Sequence, residues 1–112
     1  MEILVERRTH VTIIAITGSV DAATASTLVA SFREQVGGGV TRIVGDFSRV
    51  DYTSSAGLRA LLETVKETRQ RGGDLRLAAV QPDVLRVLDL AGFTDILKLY
   101  GDTEEAVASF TV

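Results

Sequence analysis

VDYTSSAGLRALL, residues 50–62, sets two adjacent serines and a glycine directly before an apolar run with helical spacing. Upstream, TRIVGDF at 41–47 is rich in β-branched and aromatic residues and reads as a strand, although Gly45 is a weak point inside it. Downstream, Leu58, Leu61, Leu62 and Val65 fall at i, i+3, i+4 and i+7, which predicts one face of a helix that Gly72-Gly73 stops. The stretch is therefore a strand-to-helix junction. In an α/β fold such a junction lies at the carboxyl end of a strand, where the loops and helix starts reach the surface.

Working outward, strands and helices alternate. Residues 3–7 (ILVER) and 11–17 (VTIIAIT) predict an opening antiparallel pair across three polar positions. Asp21 and Thr24 offer capping oxygens before a helix with Leu28, Val29, Phe32 and Val36 on one face, ending at Gly37-Gly38-Gly39. After the quoted junction, DLRLAAV (74–80) predicts a strand and Pro82 opens a helix bearing Val84, Val87, Leu88 and Ala91, closed by Gly92. ILKLY (96–100) is a last short strand. Asp102 or Thr103 caps a final helix through Phe110, with Glu104 and Glu105 at the positive end of its dipole. The order is ββαβαβαβα. Strands separated by helices need crossovers, so the fold class is α/β: a mixed, mostly parallel sheet with an antiparallel edge strand and about four helices. At 112 residues the chain is read as one domain, 1–112.

Composition narrows the function classes. The chain is 46% hydrophobic and 24% charged with net charge −3, which argues against an autonomous nucleic-acid binder. Its apolar runs are far shorter than the roughly 20 residues of a spanning helix, and the first residues lack the pattern of a signal peptide, so direct membrane insertion is not expected and the expected address is cytoplasmic. The absence of cysteine excludes thiolate metal sites and a cysteine nucleophile. With one histidine, His10, and no set of nucleophile, base and orienting acid, the sequence predicts no enzyme, no metal site and no cofactor. His10 reads as a surface turn residue. The triple glycine lacks the lysine and hydroxyl of a P-loop and reads as a loop.

DFSRVDYTSSAGLRALL (46–62) resembles the signature of STAS domains, the anti-sigma factor antagonist family. ITGSVDAATASTL (16–28) resembles that family's glycine, apolar residue and aspartate before the first helix, and DLRLAAVQPDVLRVLDLAGFTDIL (74–97) its C-terminal half. The resemblance implies a phosphorylation switch. Its acceptor is the serine two residues before the signature glycine, here Ser55, with Ser54 second and Thr53 third. Ser54 stands where other members carry aspartate. The implied partners are an anti-sigma factor serine/threonine kinase of the ATP-binding histidine-kinase-like fold and a serine phosphatase. ATP would be bound by the kinase, and the free chain is expected to be a monomer. Asp21, Asp46, Ser54, Ser55, Ala56, Gly57 and Arg59 are the expected partner contacts, Gly57 by permitting close approach at the helix start. Asp21 reads equally as a cap, and Ser54 as the cap of the second helix, which leaves Ser55 as the spare hydroxyl. An alternative within the same fold is a stand-alone STAS subunit regulating a lipid-transport ABC ATPase or an anion transporter.

Overall fold

Two runs of β-branched residues pair first, because alternation of inward and outward side chains lets one face of each be buried. In the computed structural model, which describes residues 1–110, β1 (Glu2–Arg7) lies antiparallel to β2 (Thr12–Val20). There follow α1 (Ala22–Gly37), β3 (Arg42–Thr53), α2 (Ser55–Gln70), β4 (Asp74–Ala78), α3 (Pro82–Leu90), a 3-10 turn (Phe93–Asp95), β5 (Lys98–Tyr100) and α4 (Thr103–Ala108). The sheet order is β1-β2-β3-β4-β5, and every pair after the first is parallel. The mixed α/β architecture and its element order are as the sequence predicts. Of the domain read as 1–112, Thr111 and Val112 lie outside the described residues.

Crossovers that always step the same way across a sheet, with the usual right hand, place their helices on one face. Accordingly α1, α2 and α3 share a core: Leu28, Phe32, Val36, Ala60, Leu61, Val65, Val84 and Leu88 pack with Ile14, Ile16, Ile43, Phe47, Leu75 and Leu77. On the opposite face α4 and the two residues beyond it bring Ala106 and Phe110 against Val11, Ile13, Val44 and Ala78. That second cover is partial, and Leu4 of β1 stays 70% exposed.

Several boundaries depart from the sequence expectation, each for a local reason. The final helix stops at Ala108 instead of reaching Phe110, and the strand expected at 96–100 keeps only its last three residues. Ile96 and Leu97 both donate to the Phe93 carbonyl and so belong to the preceding turn. β4 ends at Ala78 because Ala79 takes a positive φ of 57°. Most consequential is β3, which continues from Phe47 to Thr53. Its pairing with β2 runs Ala15 to Asp46, Thr17 to Arg49 and Ser19 to Tyr52, so three residues of β3 twice oppose two of β2. Each extra residue is a β-bulge that shifts the alternation. Phe47, Val50 and Thr53 consequently all turn inward and are buried at a spacing of three.

Gly45 is no weakness in this setting: a Cβ there would stand 2.9 Å from Leu77 Cδ2, so the missing side chain is what lets β3 and its neighbour pack. At the other end of β4, buried Asp74 accepts from Arg69 Nε at 2.8 Å and from Arg76 Nε at 3.1 Å. Arg76 also donates to Ser109 Oγ and lies 4.0 Å from the centre of the Phe110 ring, tying α2, β4 and the α4 segment together.

Candidate functional site

The bulged end of β3 delivers the chain to α2 at the rim of the sheet. Ser54 is the N-cap of α2: its backbone is extended, with φ −92° and ψ 173°, and its Oγ accepts from the Gly57 N–H at 3.3 Å. The Ser54 N–H donates to the Val20 carbonyl at 2.8 Å, fixing the helix start to the end of β2. Ser55 is the first helical residue and is exposed. Among the described residues its hydroxyl has no hydrogen-bond partner. The structure thus separates the two serines into a cap and a free hydroxyl. Thr53 is 5% exposed, with its Oγ1 turned onto the Ser54 carbonyl at 3.4 Å, and is the least accessible of the three.

The first turn of α2 contains no acidic residue. Its unpaired N–H groups and the positive end of the dipole therefore face a neutral hydroxyl. Arg59 is exposed and stands four residues after Ser55, one turn along the same face. Ala56 is half-buried against the core.

Asp21 faces the same rim from the start of α1, and there it is a cap. Its carboxylate accepts from the N–H groups of Ala23 and Thr24, each at 2.9 Å, while Thr24 Oγ1 accepts the Asp21 N–H and donates to the Ser19 carbonyl. These bonds, led by the Thr24 N–H, hold the carboxyl below the usual carboxylate range. A lowered folded value means that the cap's contribution is complete above about pH 4 and is lost as the pH falls through that lower value. Asp21→Ala is accordingly expected to lower the melting temperature by roughly 3–6 °C near neutral pH, with the gap to the parent narrowing towards pH 3 in thermal melts.

Two of the expected contacts lie off the exposed rim. Gly57 is buried beneath the helix start, where a Cβ would meet Thr53 Oγ1 at 2.4 Å and Val20 Cγ1 at 2.8 Å, so its missing side chain lets the helix seat on the end of β2. Asp46 lines a groove with Leu4, Ala15 and Thr103 on the α4 side of the sheet, its carboxylate taken by the Ser48 N–H at 3.0 Å. It is not brought together with Ser54 and Ser55. The rim instead gains Tyr52, a residue that sequence reasoning missed. Tyr52 is 52% exposed one position before Thr53, and Asp51 beside it accepts from Ser19 Oγ at 2.9 Å. An exposed aromatic between turn and strand end was the available signal, since such side chains concentrate at interfaces.

Residues 2–106 match the model of the STAS domain. The chain belongs to the STAS family. Among curated relatives it is 36% identical over 110 residues to BtrV of Bordetella bronchiseptica, named as an anti-sigma factor antagonist, covering 98% of this chain and 95% of that one. Its fold superposes on a Thermotoga maritima structure that carries the same description, with a TM-score of 0.91, 21% identity and coverage of 96% and 92% of the two chains. It also superposes on SpoIIAA of Bacillus in its phosphorylated form, with a TM-score of 0.76, 22% identity and coverage of 96% and 98%. At those identities the structural likenesses carry the fold alone. No helix among the described residues is long and apolar enough to cross a membrane, and no group of potential ligands among them could hold a metal ion.

Proposed function

We propose that this chain is an anti-sigma factor antagonist, a binding module switched by phosphorylation of Ser55. The observation that carries the reading is the division of labour at the start of α2: Ser54 is occupied as the cap, while Ser55 offers an exposed, unengaged hydroxyl beside it. It is supported by the 36% identity with BtrV along nearly the whole chain. Unphosphorylated, the rim formed by Ser55, Arg59, Tyr52 and Asp51 binds an anti-sigma factor serine kinase, which then releases its client. The kinase transfers the γ-phosphoryl group of its own ATP to Ser55 Oγ, and the hydroxyl proton leaves with the kinase's base. A serine phosphatase restores the hydroxyl.

A phosphate on Ser55 brings about −1.5 to −2 charges to a helix N-terminus, which favours such charge. With no acidic residue in the first turn of α2 to oppose it, and Arg59 one turn on, the domain accommodates the anion. Unfolding is not the switch. Switching therefore acts at the interface, where bulk and charge replace a small neutral group.

Affinity capture with the tagged chain from its own cells, with and without ATP, tests the assignment. An ATP-binding serine kinase retained without ATP and released with it is the expected result. Capture of an ABC ATPase in its place assigns the chain to the transport-associated branch of the fold.

A further inference from the structure

We propose that the opposite end of the sheet carries a second binding site, for a small multivalent oxyanion. A cavity of about 370 Å³ opens there among Arg7, Arg8, His10, Gly39, Thr41 and Arg42, and no aspartate or glutamate lines it. This is a marked segregation in a chain with 15 acidic and 12 basic side chains. Some cations sit beside carboxylates, as in Arg33 with Glu63, Arg71 with Glu67, and Arg69 and Arg76 with Asp74, whereas Arg49, Arg59, Lys66, Arg86 and Lys98 have no such partner among the described residues. Arg8 at the cavity mouth follows that pattern, paired with Glu6 and Glu104. Arg7 and Arg42 do not: among the described residues neither has a carboxylate partner.

Arg42 decides the argument. It is half-buried in the cavity wall, and among the described residues no carboxylate pairs with it. Guanidinium groups only donate hydrogen bonds, in a planar fork that matches the oxygens of phosphate or carboxylate. With threonine hydroxyls and His10 around them, the lining offers several donors and no carboxylate. The ligand that complements it is acceptor-only and anionic, and the volume is that of a metabolite-sized site. It lies at the amino ends of β2 and β3, whereas Ser54 and Ser55 follow the carboxyl end of β3. The site is therefore separate from the switch surface and stands whether or not Ser55 is phosphorylated.

Titration of the full chain, followed by backbone amide NMR, tests this with sodium pyrophosphate, with citrate, and with sodium chloride at matched ionic strength. Saturable shifts confined to residues 7–12 and 39–42 are expected with pyrophosphate. Citrate acting equally assigns the site to multivalent oxyanions in general, and citrate failing assigns it to phosphates. Arg42→Gln and the exposed Arg7→Gln should each weaken binding at least fivefold, while Lys66→Gln on α2 should leave it unchanged. Chloride reproducing the same shifts, or both arginine variants titrating like the parent, would overturn the proposal.

Discussion

Ser55→Asp is expected to fold as the parent does and to lose at least a hundredfold in affinity for the partner kinase. The two halves of that result have different physical origins. At the first position of α2, with no acid in the first turn, a carboxylate faces unpaired N–H groups and contributes about 0.3–1 kcal/mol in favour of the helix. In the interface the same charge must be desolvated against a surface that had packed on a hydroxyl, and one such misplaced charge costs several kcal/mol; a hundredfold in affinity is about 2.7 kcal/mol. Binding loss therefore dominates. Ser55→Ala, which keeps the site small and neutral, is expected to stay bound and to resist release by ATP. Melting curves alongside titration against the kinase check both halves. A melt lowered by many degrees, with unchanged affinity of the folded fraction, would mean that Ser55 is structural.

Gly57→Val is expected to act in the opposite way, through the fold. The Cβ position is already filled by Thr53 Oγ1 at 2.4 Å and Val20 Cγ1 at 2.8 Å. The helix start cannot back away freely, because the Ser54 N–H is bonded to the Val20 carbonyl and the Ser54 hydroxyl to the Gly57 N–H. Overpacking of this kind costs about 1–3 kcal/mol and more where the backbone is pinned, so we expect a loss of about 3 kcal/mol and a melting temperature lower by roughly 10 °C or more. Any loss of kinase binding should then track the folded fraction in a chemical denaturation series. A variant that melts normally yet fails to bind would assign Gly57 to the partner surface.

How far the sequence could be read depends on which periodicities survive folding. The alternation of strands and helices survived, because α1 and α2 carry their apolar faces at regular spacing and Asp21 and Ser54 mark their starts. Bulges erase the strand signal: from Phe47 to Thr53 the buried positions of β3 recur every three residues, which no two-residue template recognises. Those two bulges hid the length of β3 and the exposure of Tyr52, and left Asp46 and the serines looking like neighbours. Buried polar side chains were also illegible. Thr64 and Thr68 stand at i+3 and i+7 from Leu61, and each is buried with its hydroxyl donated to a carbonyl four residues back, at 2.8 Å in both cases, a pairing that residue type alone does not reveal. The segregation of Arg7 and Arg42 around one cavity requires the turn between β1 and β2 to meet the loop after α1, a long-range contact that composition does not encode.

The central claim is that Ser55, and not its neighbours, carries the switch. Incubation of the purified chain with its kinase and ATP, followed by peptide mass spectrometry and a binding measurement on the product, addresses it directly. The account predicts a single phosphate on Ser55, with Ser54 still serving as the cap and the kinase complex lost. A phosphate on Ser54 or Thr53 with Ser55 bare, or a Ser55-phosphorylated chain that still binds the kinase as tightly as before, would contradict it.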